Sequence, residues 1–129
     1  MEDARGFHAT GVFHVITGMI GFPGLSPCIA SKHAVFGLVK TACLEFGEAG
    51  IRVNVIGPGP VDNRMTASLE SQLSPEDPLG LRTQLSGMVP MKRDASNGEA
   101  ANLALFLGSD ESTYCNGAMY LVDGGWTGA

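Results

Sequence analysis

Positive charge is scarce in this chain: eight lysines and arginines stand against thirteen aspartates and glutamates, for a formal net charge of -5. That balance opposes attraction to phosphate backbones and anionic lipid surfaces, so neither nucleic acid nor membrane is expected as a partner. Long apolar runs are missing too. The longest, around Gly18 to Leu25 and Ala101 to Leu107, fall well short of the roughly 20 residues of a spanning helix. Cysteine is sparse, and Cys28, Cys43 and Cys115 form an odd set without a CxxC spacing. They read as reduced thiols, and neither a disulfide framework nor a zinc site is expected. His8, His14 and His33 are scattered rather than convergent, so no metal is assigned. Met1-Glu2-Asp3-Ala4-Arg5 opens with acids and lacks the basic region and apolar run of a secretory signal, which points to the cytosol.

What is present suits one globular unit of 129 residues with 44% apolar side chains. The run Val12-Phe13-His14-Val15-Ile16 is β-branched and aromatic and predicts a buried strand. Gly21 to Pro27 then reads as a loop, with Ser26 as candidate cap and Pro27 suited to a first helical turn. Val35, Leu38, Val39, Ala42, Cys43 and Phe46 follow at helical spacing and predict an amphipathic helix that ends between Gly47 and Gly50. Ile51 to Ile56 is a second predicted strand, closed by Gly57-Pro58-Gly59. A strand, a helix and a strand in this order make a βαβ unit with parallel strands and a right-handed crossover.

Residues 63–93 carry three X-Pro pairs and weak periodicity, and predict one or two short helices on an excursion. Ser96 and Glu99 fit a capping box before an apolar helix from Ala100 to Leu107, with Gly108 placed to end it. Met119 to Val122 is the third predicted strand, closed by Asp123-Gly124-Gly125. Three parallel strands make a thin sheet, so the chain reads as part of a larger one.

A strand, a Gly-rich loop, Cys28-Ile29-Ala30-Ser31-Lys32 opening a helix, Ile51 to Gly59, and Leu121 to Gly125 near the end together resemble the short-chain dehydrogenase/reductase family from about Gly11 onward. The resemblance implies an α/β fold, a partial Rossmann-like doubly wound parallel sheet. It implies one partial domain over residues 1–129, the carboxyl-terminal half of such an enzyme, with 63–93 as its substrate loop. It further implies an oxidoreductase that moves hydride between NAD or NADP and a small carbonyl or alcohol substrate. In that family a Tyr-x-x-x-Lys pair opens the central helix. Two residues four apart share a helix face, so the ammonium lowers the phenol's pKa and can also hold the nicotinamide ribose. Lys32 matches the lysine, and Pro58, Gly59, Val61 and Asn63 match the segment that faces the nicotinamide.

Three departures stand against ordinary activity. The tyrosine position holds Cys28, and general acid catalysis is worth roughly two to four powers of ten. The family's serine falls at Val15, which is not expected to function, and Thr17 would need a shift of ~6.6 Å along a strand. Asn63 stands where threonine is common, a milder change because Asn still donates and accepts. The sequence also contains no G-x-G-x-x-G, the loop whose following helix receives a pyrophosphate, so cofactor binding by this chain alone is doubtful.

Two alternatives stay open. One is a non-catalytic dimerisation or interaction module, since the resemblance implies a homo-oligomer built through the central helix (27–47) and the last strand (118–122). The other is a thiol-based activity at Cys28, because a thiol there acts as a nucleophile rather than a proton donor. Met65, Met88 and Met91 in the excursion suggest an adaptable apolar wall, or ordinary core filling.

Overall fold

The computed structural model describes residues 8–12 and 21–128. Three strands, β1 (His8–Val12), β2 (Arg52–Pro58) and β3 (Met119–Val122), form one sheet in the order β1-β2-β3 with both pairings parallel. This is the expected α/β architecture. Four α-helices accompany it: α1 (Ser26–Phe46), α2 (Arg64–Leu73), α3 (Pro78–Met88) and α4 (Asn97–Leu107). Short 3₁₀ turns follow α1 and α4.

The described part of the first strand begins four residues before the expected apolar run. It shares only Val12 with the expected 12–16, and Phe13 to Ile16 lie outside the described residues, as do Val15 and Thr17. The helix after it also starts differently. Ser26 is its first helical residue rather than its cap. The cap is Leu25, which makes no side-chain bond, and its carbonyl accepts from Ile29 N–H at 2.9 Å. With Pro27 in the first turn, one N–H needs no partner, which lowers the demand for a polar cap. At the other end, Gly50 takes φ +75°, and its N–H closes onto Gly47 O as the glycine pattern predicted.

β2 is central, and Asn54 to Gly59 are buried without interruption. A strand buried at consecutive positions is covered on both faces, and the helices that touch β2 are α1 and α4. The core is Val55, Ile56 and Leu107, with Val39 from α1 and Val61 and Val89 from the segments beyond β2. At about 25 cal/mol per Å² of apolar surface, each such side chain contributes roughly 1.5–3 kcal/mol.

The expected apolar stripe of α1 packs in part, with Val39 buried and Val35, Ala42 and Cys43 half-buried. Val39 is its one buried residue, while Leu38 is 69% and Phe46 46% exposed. Apolar residues ring this helix, so burying one face on β2 leaves another uncovered. The capping box forms as predicted: Ser96 Oγ accepts from Glu99 N–H, and the Glu99 carboxylate accepts from Ser96 N–H at 2.7 Å. The excursion holds two helices, α2 and α3, which pack on each other.

Candidate functional site

The level of α1 along the sheet is fixed at its carboxyl end. Asn116 Oδ1 accepts from Val53 N–H at 2.8 Å, and Asn116 Nδ2 reaches the Cys43 carbonyl at 3.4 Å. Gly117, at φ +72°, lies so close to the Cys43 thiol that a Cβ there would collide with it. Cys43 therefore stands beside Val53, at the amino end of β2. Lys32 is eleven residues back along α1, about 16.5 Å at the helical rise. Pro58 is five residues forward along β2, again about 16.5 Å at the strand rise. A crossover helix runs back along its strands, so these equal lengths direct Lys32, and Cys28 one helical turn before it, toward the carboxyl end of the parallel sheet.

At that end β2 and β3 close on each other. Gly59 N–H donates to Val122 O at 3.0 Å, and a Cβ on Gly59 would lie 2.8 Å from Asp123 Cα. Only glycine lets the two chains approach so closely. The Asp123 carboxylate accepts from Gly125 N–H at 2.9 Å, Thr127 N–H at 2.9 Å and Thr127 Oγ1 at 2.7 Å. Burial pushes its pKa up, but the Thr127 and Gly125 donors outweigh burial and leave it below the usual carboxylate range. A hollow of about 310 Å³ opens beside this turn, lined by Pro60, Met91, Leu121 and Asp123 among others.

Beyond Gly59 the chain passes Val61, 3% exposed, which bridges to Ala95, and then enters α2. Asn63 is the α2 cap. Its Oδ1 accepts from Thr66 N–H at 3.0 Å and Thr66 Oγ1 at 3.3 Å, which leaves the amide Nδ2 as its donor. This capping role was not foreseen, although an Asn three residues before Thr66 is a readable signal. Lys32 is half-buried on α1. Cys28 is exposed, so it is no packing thiol, and its carbonyl accepts from Ser31 Oγ at 2.7 Å. Val61 and Asn63 follow the Pro58-Gly59 turn directly, while Lys32 and Cys28 stand in the first turns of α1. Val15 lies outside the described residues.

Among the described residues no group of His, Cys, Asp and Glu could hold a metal ion, and no helix is long and apolar enough to cross a membrane.

A family model described as enoyl-(acyl carrier protein) reductase matches residues 11–127. Oxidoreductase UcpA of Escherichia coli is 42% identical over 113 residues, which cover 87% of this chain and 43% of that protein. The crystal structure of levodione reductase superposes with a TM-score of 0.87 at 33% identity, covering 95% of this chain and 46% of that one. ElxO, solved with NADP bound, gives a TM-score of 0.80 at 27% identity over 95% of this chain and 47% of its own. The chain spans about half the length of these relatives. On this match, and on its parallel sheet, the chain belongs to the short-chain dehydrogenase/reductase family.

Proposed function

We propose that this chain carries the carboxyl-terminal part of a nicotinamide redox site without its proton donor. What supports the reading is the equal reach of Lys32 from Cys43 and of Pro58 from Val53, about 16.5 Å each, from two residues that Asn116 links. The residues fit NAD or NADP in part. Lys32 offers an ammonium, Asn63 an amide donor, and the buried Pro58 to Gly59 turn and Val61 offer a dry backbone wall. When bound, the nicotinamide supplies the hydride that moves to or from a small carbonyl or alcohol substrate. The task left to this chain is orientation. Cys28 cannot replace a phenol as proton donor, so the chain alone is not competent for turnover. Residues 1–129 form one partial domain in this reading, and 63–93 is its substrate loop. Three free thiols suit a reducing cytosolic setting.

Trp126, half-buried just past β3, is a built-in reporter. Adding NADH or NADPH should change its emission only at millimolar cofactor, a range worth about 4 kcal/mol, with no carbonyl reduction. Micromolar binding or turnover by this chain overturns the reading.

A second reading is favoured by the open face of α1. Leu38 and Leu44 are 69% and 83% exposed, and β3 is a sheet edge with Leu121 40% exposed. These surfaces suit a homo-oligomer through the central helix (27–47) and the last strand (118–122), which is also how a non-catalytic dimerisation module would assemble.

A further inference from the structure

The excursion leaves the body at Asp62 and returns at Asp94, and its two roots are stitched together. Asp62 N–H donates to Ala95 O at 2.9 Å, Ala95 N–H donates to Pro60 O at 2.8 Å, and Val61 bridges Ala95. Between these roots, among the described residues, α2 and α3 pack chiefly on each other. The return root is anchored by Val89, 1% exposed, which sits against Gly124, and Met91 N–H reaches Gly124 O at 3.3 Å. An arm of two helices on a narrow, rigid neck needs something to set its angle.

Arg82, on α3, reaches back to both roots. Its Nη2 lies 2.6 Å from Asp62 Oδ1 and 3.1 Å from Asp94 Oδ2, and its Nε donates to the same Asp94 oxygen at 3.1 Å. The two carboxylates differ in setting: the Asp62 side chain is 67% exposed, and that of Asp94 only 7%. Asp94 also accepts from Ser86 Oγ at 2.5 Å, one α-helical turn beyond Arg82. The inner half of the contact is therefore dry and fixed, and the outer half is open to solvent ions.

We propose that Arg82 is a salt-sensitive latch that holds the α2–α3 arm against its own neck, and that release of its outer contact with Asp62 lets the arm swing as one body about Asn63 and Val89. The inference holds whatever the arm covers, so it stands apart from the nicotinamide reading.

Amide hydrogen exchange on the intact chain tests it. At about 1 M salt, where the screening length is about 3 Å, amides of α2 and α3 should exchange about two- to fivefold faster than at low salt, while those of β2 and α4 keep their rates. Asp62→Asn should reproduce that acceleration at low salt and remove the response to added salt. Arg82→Met should loosen the arm further, because Asp94 also loses its partner. Exposed Asp62 makes its variant the safer one should Arg82→Met not fold. Arm protection that ignores salt in the parent chain, or an Asp62→Asn variant that loosens β2 and α4 as much as the arm, would overturn the latch.

Discussion

Arg52 Nη2, at the start of β2, lies 2.8 Å from the carbonyl oxygen of Leu107, the last residue of α4. The same guanidinium donates to Ser109 O at 3.1 Å and Cys115 O at 3.2 Å, and Arg52 is 6% exposed. A buried cation is thereby held by three carbonyls, of which Leu107 O belongs to the end of α4, where the helix dipole is negative. Its Nε has no partner.

Removal of that side chain takes one donor from each of three carbonyls, which keep Ser112 and Asn54 as their other partners, and empties a buried site. Arg52→Met is expected to cost about 2–4 kcal/mol in urea unfolding, and Arg52→Lys less, since one ammonium replaces part of the fork. A loss within about 0.5 kcal/mol for Arg52→Met would mean that the Ser112 and Asn54 donors suffice for these carbonyls.

Gly59 makes a second, steric prediction. A methyl there would press on the backbone of Asp123, at 2.8 Å from Cα and 3.1 Å from the carbonyl oxygen. Backbone cannot rotate away as a side chain can. Gly59→Ala should therefore destabilise by about 1–3 kcal/mol and shift the amide resonances of Gly124 and Gly125.

Acid should weaken the start of α4. The Arg93 guanidinium, at 2.7 and 2.9 Å, and the Ser96 N–H hold the Glu99 carboxyl down to about 2. A folded value below the unfolded one, near 4.5, adds stability that is full above the unfolded value and is lost as pH falls through the folded one. The Tm advantage of the parent chain over Glu99→Gln should be steady above pH of about 5 and shrink towards pH of about 2. A gap constant across that range would contradict the assignment.

Of the three thiols, Cys28 is exposed while Cys43 and Cys115 are half-buried. Cys28 should react first with a disulfide reagent in the native chain, and Cys28→Tyr should leave stability within about 0.5 kcal/mol. Faster labelling of Cys43 would place the helix face differently.

Which features were legible in the sequence follows from the range over which each is decided. The capping box of Ser96 and Glu99, the Gly50 turn and the parallel β2 and β3 depend on neighbours within a few residues or on a period of two, and they appear where expected. The buried face of α1 was legible in part: Val35, Val39, Ala42 and Cys43 of the expected stripe are buried or half-buried, while Leu38 and Phe46 stay exposed because apolar residues surround that helix. The Asn116 link and the Arg52 contacts join residues 55 to 73 positions apart. No local pattern announces them. Of the candidate site, Lys32, Pro58 and Gly59 were readable as a motif, whereas Asn63 proved to be a helix cap as well.

The central claim is that the carboxyl end of this sheet still offers a nicotinamide face around Lys32 and Pro58 to Asn63. Two-dimensional amide NMR of the ¹⁵N-labelled chain, titrated with NADPH into the millimolar range, reads it residue by residue. The account predicts saturable shifts confined to Lys32, Gly59, Val61 and Asn63 and their neighbours, lost in Lys32→Ala. Shifts that leave these positions untouched, or that gather at the Cys43 and Val53 end of the sheet, would contradict it.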